Sequence, residues 1–431
     1  MEIAIYFKFI LSFGLILLAA RVGGELFERY LKQPPVLGEL VAGIIISPFA
    51  LGGLINDPII LNFATVHHAF GLHEFSVMEI IAEIAVVALL FVAGIETDVR
   101  AFLRQGLVGA LVAVGGVIFP FIFGFLITMW LVPDAAIAGW MFMGATLTAT
   151  SIGVTVRILM EMGKLQTKAG TTVLVGAVID DIIGIVVLSI VIGVAATAKA
   201  GGDISLGHVC LDALKIAVIG FAVWFALLII GVRFSKYISW FLLSPFRRSG
   251  TIPIFAIIIG FIIAYLVTLV GLHPVVGAYV AGLMFAATNE REDILDRTRP
   301  IMLFLAPFFF CYLGMQVDTR LLWGGAIVAL ILIIAAVIGK VMGCYIPARF
   351  AGKMSHTESM IVGIGMVPRG EVGLIIAGAG LLAGAIGREL FGAAVAVSVV
   401  TTLVTPAMLK PFFSRQPVSP VEEDEGERQG E

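Results

Sequence analysis

The segment PVLGELVAG, Pro35 to Gly43, returns as PVVGAYVAG, Pro274 to Gly282, with six of nine positions identical. A second pair follows in the same order. LLFVAGIETD, closing on Asp98, matches FFCYLGMQVD, closing on Asp318. What these copies mean depends on how often the chain crosses an apolar phase between them. Marking apolar runs and their polar breaks gives thirteen candidate helical spans. Their limits are 3–27, 34–51, 78–97, 106–130, 134–163, 171–196, 208–242, 252–270, 274–288, 300–318, 322–350, 358–385 and 388–412. Each pair lies seven spans apart. Seven is odd, so the partners cross the membrane in opposite senses, which is the mark of an inverted-topology repeat. Such repeats build transporters whose substrate site lies near the bilayer midplane.

Composition agrees with a polytopic membrane protein. Of 431 residues, 60% are hydrophobic and 13% are charged, where a soluble protein carries about a quarter charged residues. A net charge of −3 without a basic patch excludes nucleic acid as a partner. Cys210, Cys311 and Cys344 are far apart and sit in or beside apolar runs, so free packed thiols are expected. The first run lacks a basic leader, carries Glu2 and is long enough to span. It is expected to be a retained helix.

Lys and Arg set the orientation. The breaks after odd-numbered spans hold sixteen of them, from Arg29 and Lys32 through Arg157 to Arg349 and Lys353. Those after even-numbered spans hold Lys199, Arg320 and Arg388. By the positive-inside rule the N-terminus is outside and the C-terminus is cytoplasmic. One missed span would invert this bias partway along the chain. The acidic tail, 413–431, is expected to be disordered, and no soluble regulatory domain follows it. The loop at 52–77 carries His67, His68 and His73, which suit an exposed amphipathic turn, a metal site or a pH sensor.

Charges inside the spans are costly and therefore informative. AVIDDIIGIVVL, Ala177 to Leu188, places Asp180 and Asp181 in the sixth span. The repeat pairs span 5 with span 12. Span 5 holds GATLTATSIGV, Gly144 to Val154, and span 12 holds GMVPRGEVG, Gly365 to Gly373. Both are poor sequences for an unbroken helix. Interrupted segments at matching places in two halves point to an ion site, because they free carbonyls and helix ends. Counted from the inner ends of their spans, Asp180, Lys340 and Pro368 lie nine or ten residues deep, or ~15 Å at ~1.5 Å per residue, half of a ~30 Å core. Thr150 and Ser151 lie slightly deeper.

Neighbouring helical residues point about 100° apart, so Asp180 and Asp181 serve different ends. One can pair with Lys340 while the other faces water and takes up a cation or a proton. Carboxylate, hydroxyl and carbonyl oxygens suit a small alkali cation. An ion pair with a spare solvated aspartate is the bland reading of the same residues.

In order and spacing, PPVLGELVAGIIISP, LLFVAGIETD, the TATS of span 5, the VIDD of span 6, the IGKVMG of span 11 and MVPRGEVGLI resemble the monovalent cation:proton antiporter-2 family, in its NapA-like sodium/proton branch. The resemblance covers nearly the whole chain. It implies an all-α fold of thirteen transmembrane helices with two discontinuous crossing helices, the NhaA/NapA-like antiporter fold. It implies a transmembrane antiporter domain at 1–412, with core helices at about 78–196 and 300–412. Dimerisation or scaffold helices fall at about 3–51 and 208–288. It also implies a homodimer in a prokaryotic plasma membrane and movement of the core against the scaffold. Asp181 becomes the Na⁺ and proton carrier, Asp180 the partner of Lys340, which takes part in proton coupling, and Thr150 and Ser151 lie at the crossing. Asp-Asp, where electroneutral relatives have Asn-Asp and Kef-type potassium systems Gln-Asp, implies electrogenic exchange near two protons per sodium. Potassium/proton exchange of the Kef-like type is the alternative.

Other polar residues in the spans stay open. Glu83 can line an outer funnel or pack. Arg369 and Glu371 can form a structural ion pair at the helix break beside Pro368 or tune the pH response. Lys215 is expected at the interface. No cofactor is implied beyond the transported ions, and no nucleophile–base pair or metal-ligand cluster at one depth indicates an enzyme. A sensor that kept the fold without transport is a separate reading, resting only on the tail and the histidine loop.

Overall fold

A computed structural model describes residues 2–51, 65–66, 75–199, 206–233, 237, 251–318 and 326–413. The helices are α1 (Glu2–Leu26), α2 (Pro35–Ile46), α3 (Val77–Glu96), α4 (Val99–Arg104), α5 (Gly106–Leu131), α6 (Ile137–Thr148), α7 (Ile152–Glu161) and α8 (Lys168–Lys199). They continue with α9 (Leu206–Arg233), α10 (Ile252–Thr268), α11 (Pro274–Ala286), α12 (Arg291–Met315), α13 (Ala326–Phe350), α14 (His356–Gly365), α15 (Gly370–Leu382) and α16 (Arg388–Phe413). A short antiparallel pair, Thr65–Val66 with Phe75–Ser76, is the one departure from an all-helical chain among the described residues. The three loop histidines and residues 414–431 lie outside them.

Nine helical stretches among the described residues are long and apolar enough to cross a membrane. The α14–α15 pair, bent by 46°, makes a tenth. The shorter apolar helices α2, α10 and α11 occupy the places of spans 2, 8 and 9. Helix is the expected solution here, because in hydrocarbon every backbone polar group must be satisfied within its own segment. One boundary moves. α12 begins at Arg291 rather than near 300, so the charged run expected as loop is helical, with Pro300 inside the helix.

Packing gives the repeat a physical form. α2 lies on α12, and α11 lies on α3. A Cβ built on Gly43 of α2 would sit 1.9 Å from the Cys311 carbonyl oxygen, with Gly314 beside it. One on Gly282 of α11 would sit 2.3 Å from the Phe91 carbonyl oxygen, with Gly94 beside it. Gly43 and Gly282 close the first repeated motif, and Gly94 and Gly314 are equivalent positions of the second. Each motif therefore packs against the opposite copy of the other, as a twofold relation demands. Small residues at such crossings let backbones approach where apolar lipid gives helices no reason to associate. α5 and α13, the fourth and eleventh spans, pack on each other. There, Gly115 and Gly343 each face the other's carbonyl oxygen.

Cys311 and Cys344 are buried free thiols, as expected from sequence. Of Cys210 the structure describes only its place in α9.

Candidate functional site

The fifth and twelfth spans are each interrupted, and the interruptions lie against each other. α6 ends at Thr148 and α7 begins at Ile152; α14 ends at Gly365 and α15 begins at Gly370. The Ser151 amide donates to the Pro368 carbonyl at 2.8 Å. The Thr150 hydroxyl donates to the Met366 carbonyl at 3.2 Å, and the Thr155 hydroxyl to that of Gly365 at 3.0 Å. The hydroxyls that made span 5 a poor helix thus take up carbonyls freed by the break in span 12. The Ser151 side chain also caps α7, accepting from the Val154 amide. At Gly370 φ is +43°, and a Cβ would lie 2.6 Å from Ser151 Oγ. Only glycine meets both conditions there.

Two cations serve the freed carbonyls. Lys340, fully buried on α13, donates to the Thr148 carbonyl at 2.6 Å, to the Gly116 carbonyl at 2.9 Å and to Asp180 Oδ1 at 2.9 Å. An ammonium has three donors, so Lys340 is saturated. Arg369, also fully buried, donates to the carbonyls of Val367 (2.9 Å), Leu147 (2.6 Å) and Ala336 (3.1 Å). Lys340 and Arg369 therefore sit together on the C-terminal end of α6, where the helix dipole favours positive charge.

The aspartates part company as their angular separation requires. Asp180 is 2% exposed, held by Lys340 and flanked by Thr150. Asp181 is 8% exposed, and its Oδ2 is buried without a hydrogen-bond partner. Its electrostatic neighbours are Asp180 and Glu371, both acidic.

The Arg369–Glu371 ion pair, one of the two readings open from sequence, is not formed. Arg369 is spent on carbonyls, and Glu371 Oε2 accepts from the Ser151 hydroxyl at 2.7 Å. The reason is geometric: Glu371 lies in the first turn of α15, where a carboxylate suits the helix N-terminus, whereas Arg369 precedes the helix and turns toward the C-terminal carbonyls of α6. Glu371 also lines a cavity of about 300 Å³ with Glu79, Glu83, Gln316, Asp318 and apolar side chains. Glu83, one of whose oxygens is buried and unpartnered, therefore stands on a cavity wall facing Glu371.

Arg157, counted from sequence among the loop cations, is instead buried in α7. It pairs with Glu161 Oε1 at 2.5 Å, one turn on, and with Glu39 Oε1 of α2 at 3.6 Å. Sequence reasoning missed this cluster. Its signal was available: Glu39 is an acid inside a repeat motif whose other copy has Ala278, and Arg157 and Glu161 stand at i, i+4 spacing.

Two broken helices crossing beside a lysine-held aspartate and an unpartnered one define a secondary transporter for small cations. The chain belongs to the transmembrane sodium/hydrogen exchanger family, which it matches over residues 14–415. It is 34% identical to the high-affinity Na⁺/H⁺ antiporter NhaS3 of Synechocystis sp., over 94% of this chain and 89% of that protein. It is also 34% identical to the Na⁺/H⁺-K⁺ antiporter GerN of Bacillus cereus, over 94% and 97% respectively. Among solved structures, the sodium proton antiporter MjNhaP1 of Methanocaldococcus jannaschii superimposes with a TM-score of 0.62. That match covers 94% of this chain and 96% of that one at 16% identity, so it bears on the fold alone.

Proposed function

We propose that the protein is a secondary active antiporter that exchanges Na⁺ or Li⁺ for H⁺ in a prokaryotic plasma membrane. One observation carries the reading: Asp181 is almost wholly buried yet has a carboxylate oxygen that no protein group satisfies, while the adjacent Asp180 is held by Lys340 at Oδ1. A buried polar atom without a partner is costly, and a cation or a proton at Asp181 removes that cost. Both cannot occupy it together, so alternate exposure of this one carboxylate to the two faces couples their opposite flows. Thr150 and Ser151 at the crossing, with freed carbonyls nearby, supply further oxygens of the kind that hold an alkali cation. Pro368 keeps the break open, and Arg369 holds the carbonyls of Val367 in the break, Leu147 of α6 and Ala336 of α13.

In this reading α3, α5–α8 and α12–α16 form a moving core, and α1, α2 and α9–α11 a scaffold through which two copies pair. All thirteen spans cross, with the N-terminus outside and the C-terminus cytoplasmic. The cavity at Glu83 then opens from the outer face as the ion funnel. The Asp-Asp pair at 180–181, through the family resemblance, favours electrogenic over one-for-one exchange. The printed specificity of GerN favours a second reading on substrate alone, in which K⁺ also enters the site.

Purified protein in liposomes carrying an imposed pH gradient is the test. Addition of Na⁺ collapses the gradient, and a valinomycin-set potential changes the rate in a direction that follows its sign. Each elementary charge moved through 100 mV is worth about 2.3 kcal/mol, so the voltage effect is readily measured. Indifference to voltage would establish one-for-one exchange; no response to any alkali cation would remove transport altogether.

A further inference from the structure

Counting charge around the crossing exposes an imbalance. Asp180, Asp181 and Glu371, with Glu83 across the cavity from Glu371, outnumber the nearby cations Lys340 and Arg369, so with all of them ionised negative charge remains uncompensated. Lys340 is taken up by Asp180 and two carbonyls, and Arg369 by three carbonyls. Glu371 has the Ser151 hydroxyl and the N-terminus of α15 as its compensation, and no ion pair. A bound monovalent cation, or a proton, lowers that excess.

Position says which acids share that charge. Glu371 is an electrostatic neighbour of Asp181 on one side and lines the cavity on the other. Ser151, which orients Glu371, belongs to the very break that places oxygens around the aspartates. A cation moving from the cavity toward Asp181 therefore meets the Glu371 carboxylate on its way.

We propose that Glu371, oriented by Ser151, is a second cation-binding carboxylate of the site, the group that takes a monovalent alkali ion from the cavity and shares it with Asp181. This rests on the antiport reading above and extends it. A purely structural Glu371 would hold the helix break and the α15 N-terminus without affecting ion affinity. The two roles separate in the kinetics. A ligand lost from the ion's binding site raises KM for the ion, whereas a loosened crossing lowers the turnover of protein that still binds normally.

The experiment compares Glu371→Gln, Glu371→Asp and Asp181→Asn in proteoliposomes, measuring exchange against Na⁺ concentration at fixed pH. Removing one charged ligand in a water-poor site raises the Na⁺ KM by about tenfold or more in E371Q, with kcat kept within about twofold. E371D, which restores the carboxylate, returns KM most of the way toward wild type. A wild-type KM in E371Q, or a loss of kcat alone that E371D does not repair, overturns the proposal. Should E371Q not fold, Glu371→Asp alone decides the matter, because it keeps the charge but draws it one methylene away from the ion. A raised KM supports the assignment and an unchanged KM ends it. Asp181→Asn keeps the two readings apart: full exchange in that variant defeats the assignment of the site to Asp181, on which this inference rests, while its inactivity beside a wild-type KM in E371Q defeats this inference alone.

Discussion

Asp181→Asn reduces Na⁺-driven dissipation of a pH gradient to the level of protein-free liposomes. The amide is nearly isosteric with the carboxylate, and Oδ2 of Asp181 makes no hydrogen bond that folding depends on. The substituted protein therefore folds and inserts, which size-exclusion chromatography and thermal unfolding verify. What it loses is charge and the ability to bind and release a proton. A neutral oxygen holds a desolvated alkali ion far less well than an ionised one, since unit charges ~4 Å apart interact by about 4 kcal/mol even at an effective dielectric constant of 20. With neither ion nor proton exchangeable, no cycle is completed. Full activity in this variant would move the site elsewhere.

The second large effect concerns stability. Lys340 is wholly buried and ties α13 to Asp180 of α8, to the end of α6 and to α5. Replacing it with Met leaves Asp180 buried without its cation, and breaking a buried pair on one side costs about 3–5 kcal/mol. Thermal unfolding in detergent shows a markedly lower midpoint. The double variant Asp180→Asn/Lys340→Met recovers much of that loss, because the orphaned charge is gone and the penalty for desolvating it goes too. If the single variant unfolds at the wild-type temperature, the pair does not hold the crossing together. If the double variant is no better than the single one, the loss comes from the two abandoned carbonyls rather than from the charge.

Much of this was legible in the sequence, for reasons that can be named. Hydrocarbon enforces length and apolarity on every span, so the spans stand out. The repeat was visible because close helix approach requires Gly at Gly43, Gly94, Gly282 and Gly314, which keeps the two copies recognisable. The breaks were visible because clustered hydroxyls, Pro368 and Gly370 are poor in a helix. Matched depth brought Lys340 to one of the two aspartates, and the family resemblance named Asp180. Partners within the crossing were less accessible. Whether Arg369 turns to Glu371 or to the carbonyls of Leu147 and Ala336 depends on where α15 begins, and one residue decides it. Arg157 looked like an inner-loop cation because span ends are blurred in sequence; its partner Glu39 is more than a hundred residues away. The cavity joining Glu83 to Glu371 is a property of packed helices, and no local pattern announces it.

Antiport at this site requires Na⁺ and H⁺ to compete for the Asp181 carboxylate. Calorimetric titration of the purified protein with Na⁺ at a series of pH values, in two buffers of different ionisation enthalpy, measures that competition. Direct competition predicts release of at least one proton for each Na⁺ bound, the carboxylate's own, and, on the acid side, an affinity that weakens by at least about tenfold per pH unit. Na⁺ binding of constant affinity across that range, without proton release, would contradict it.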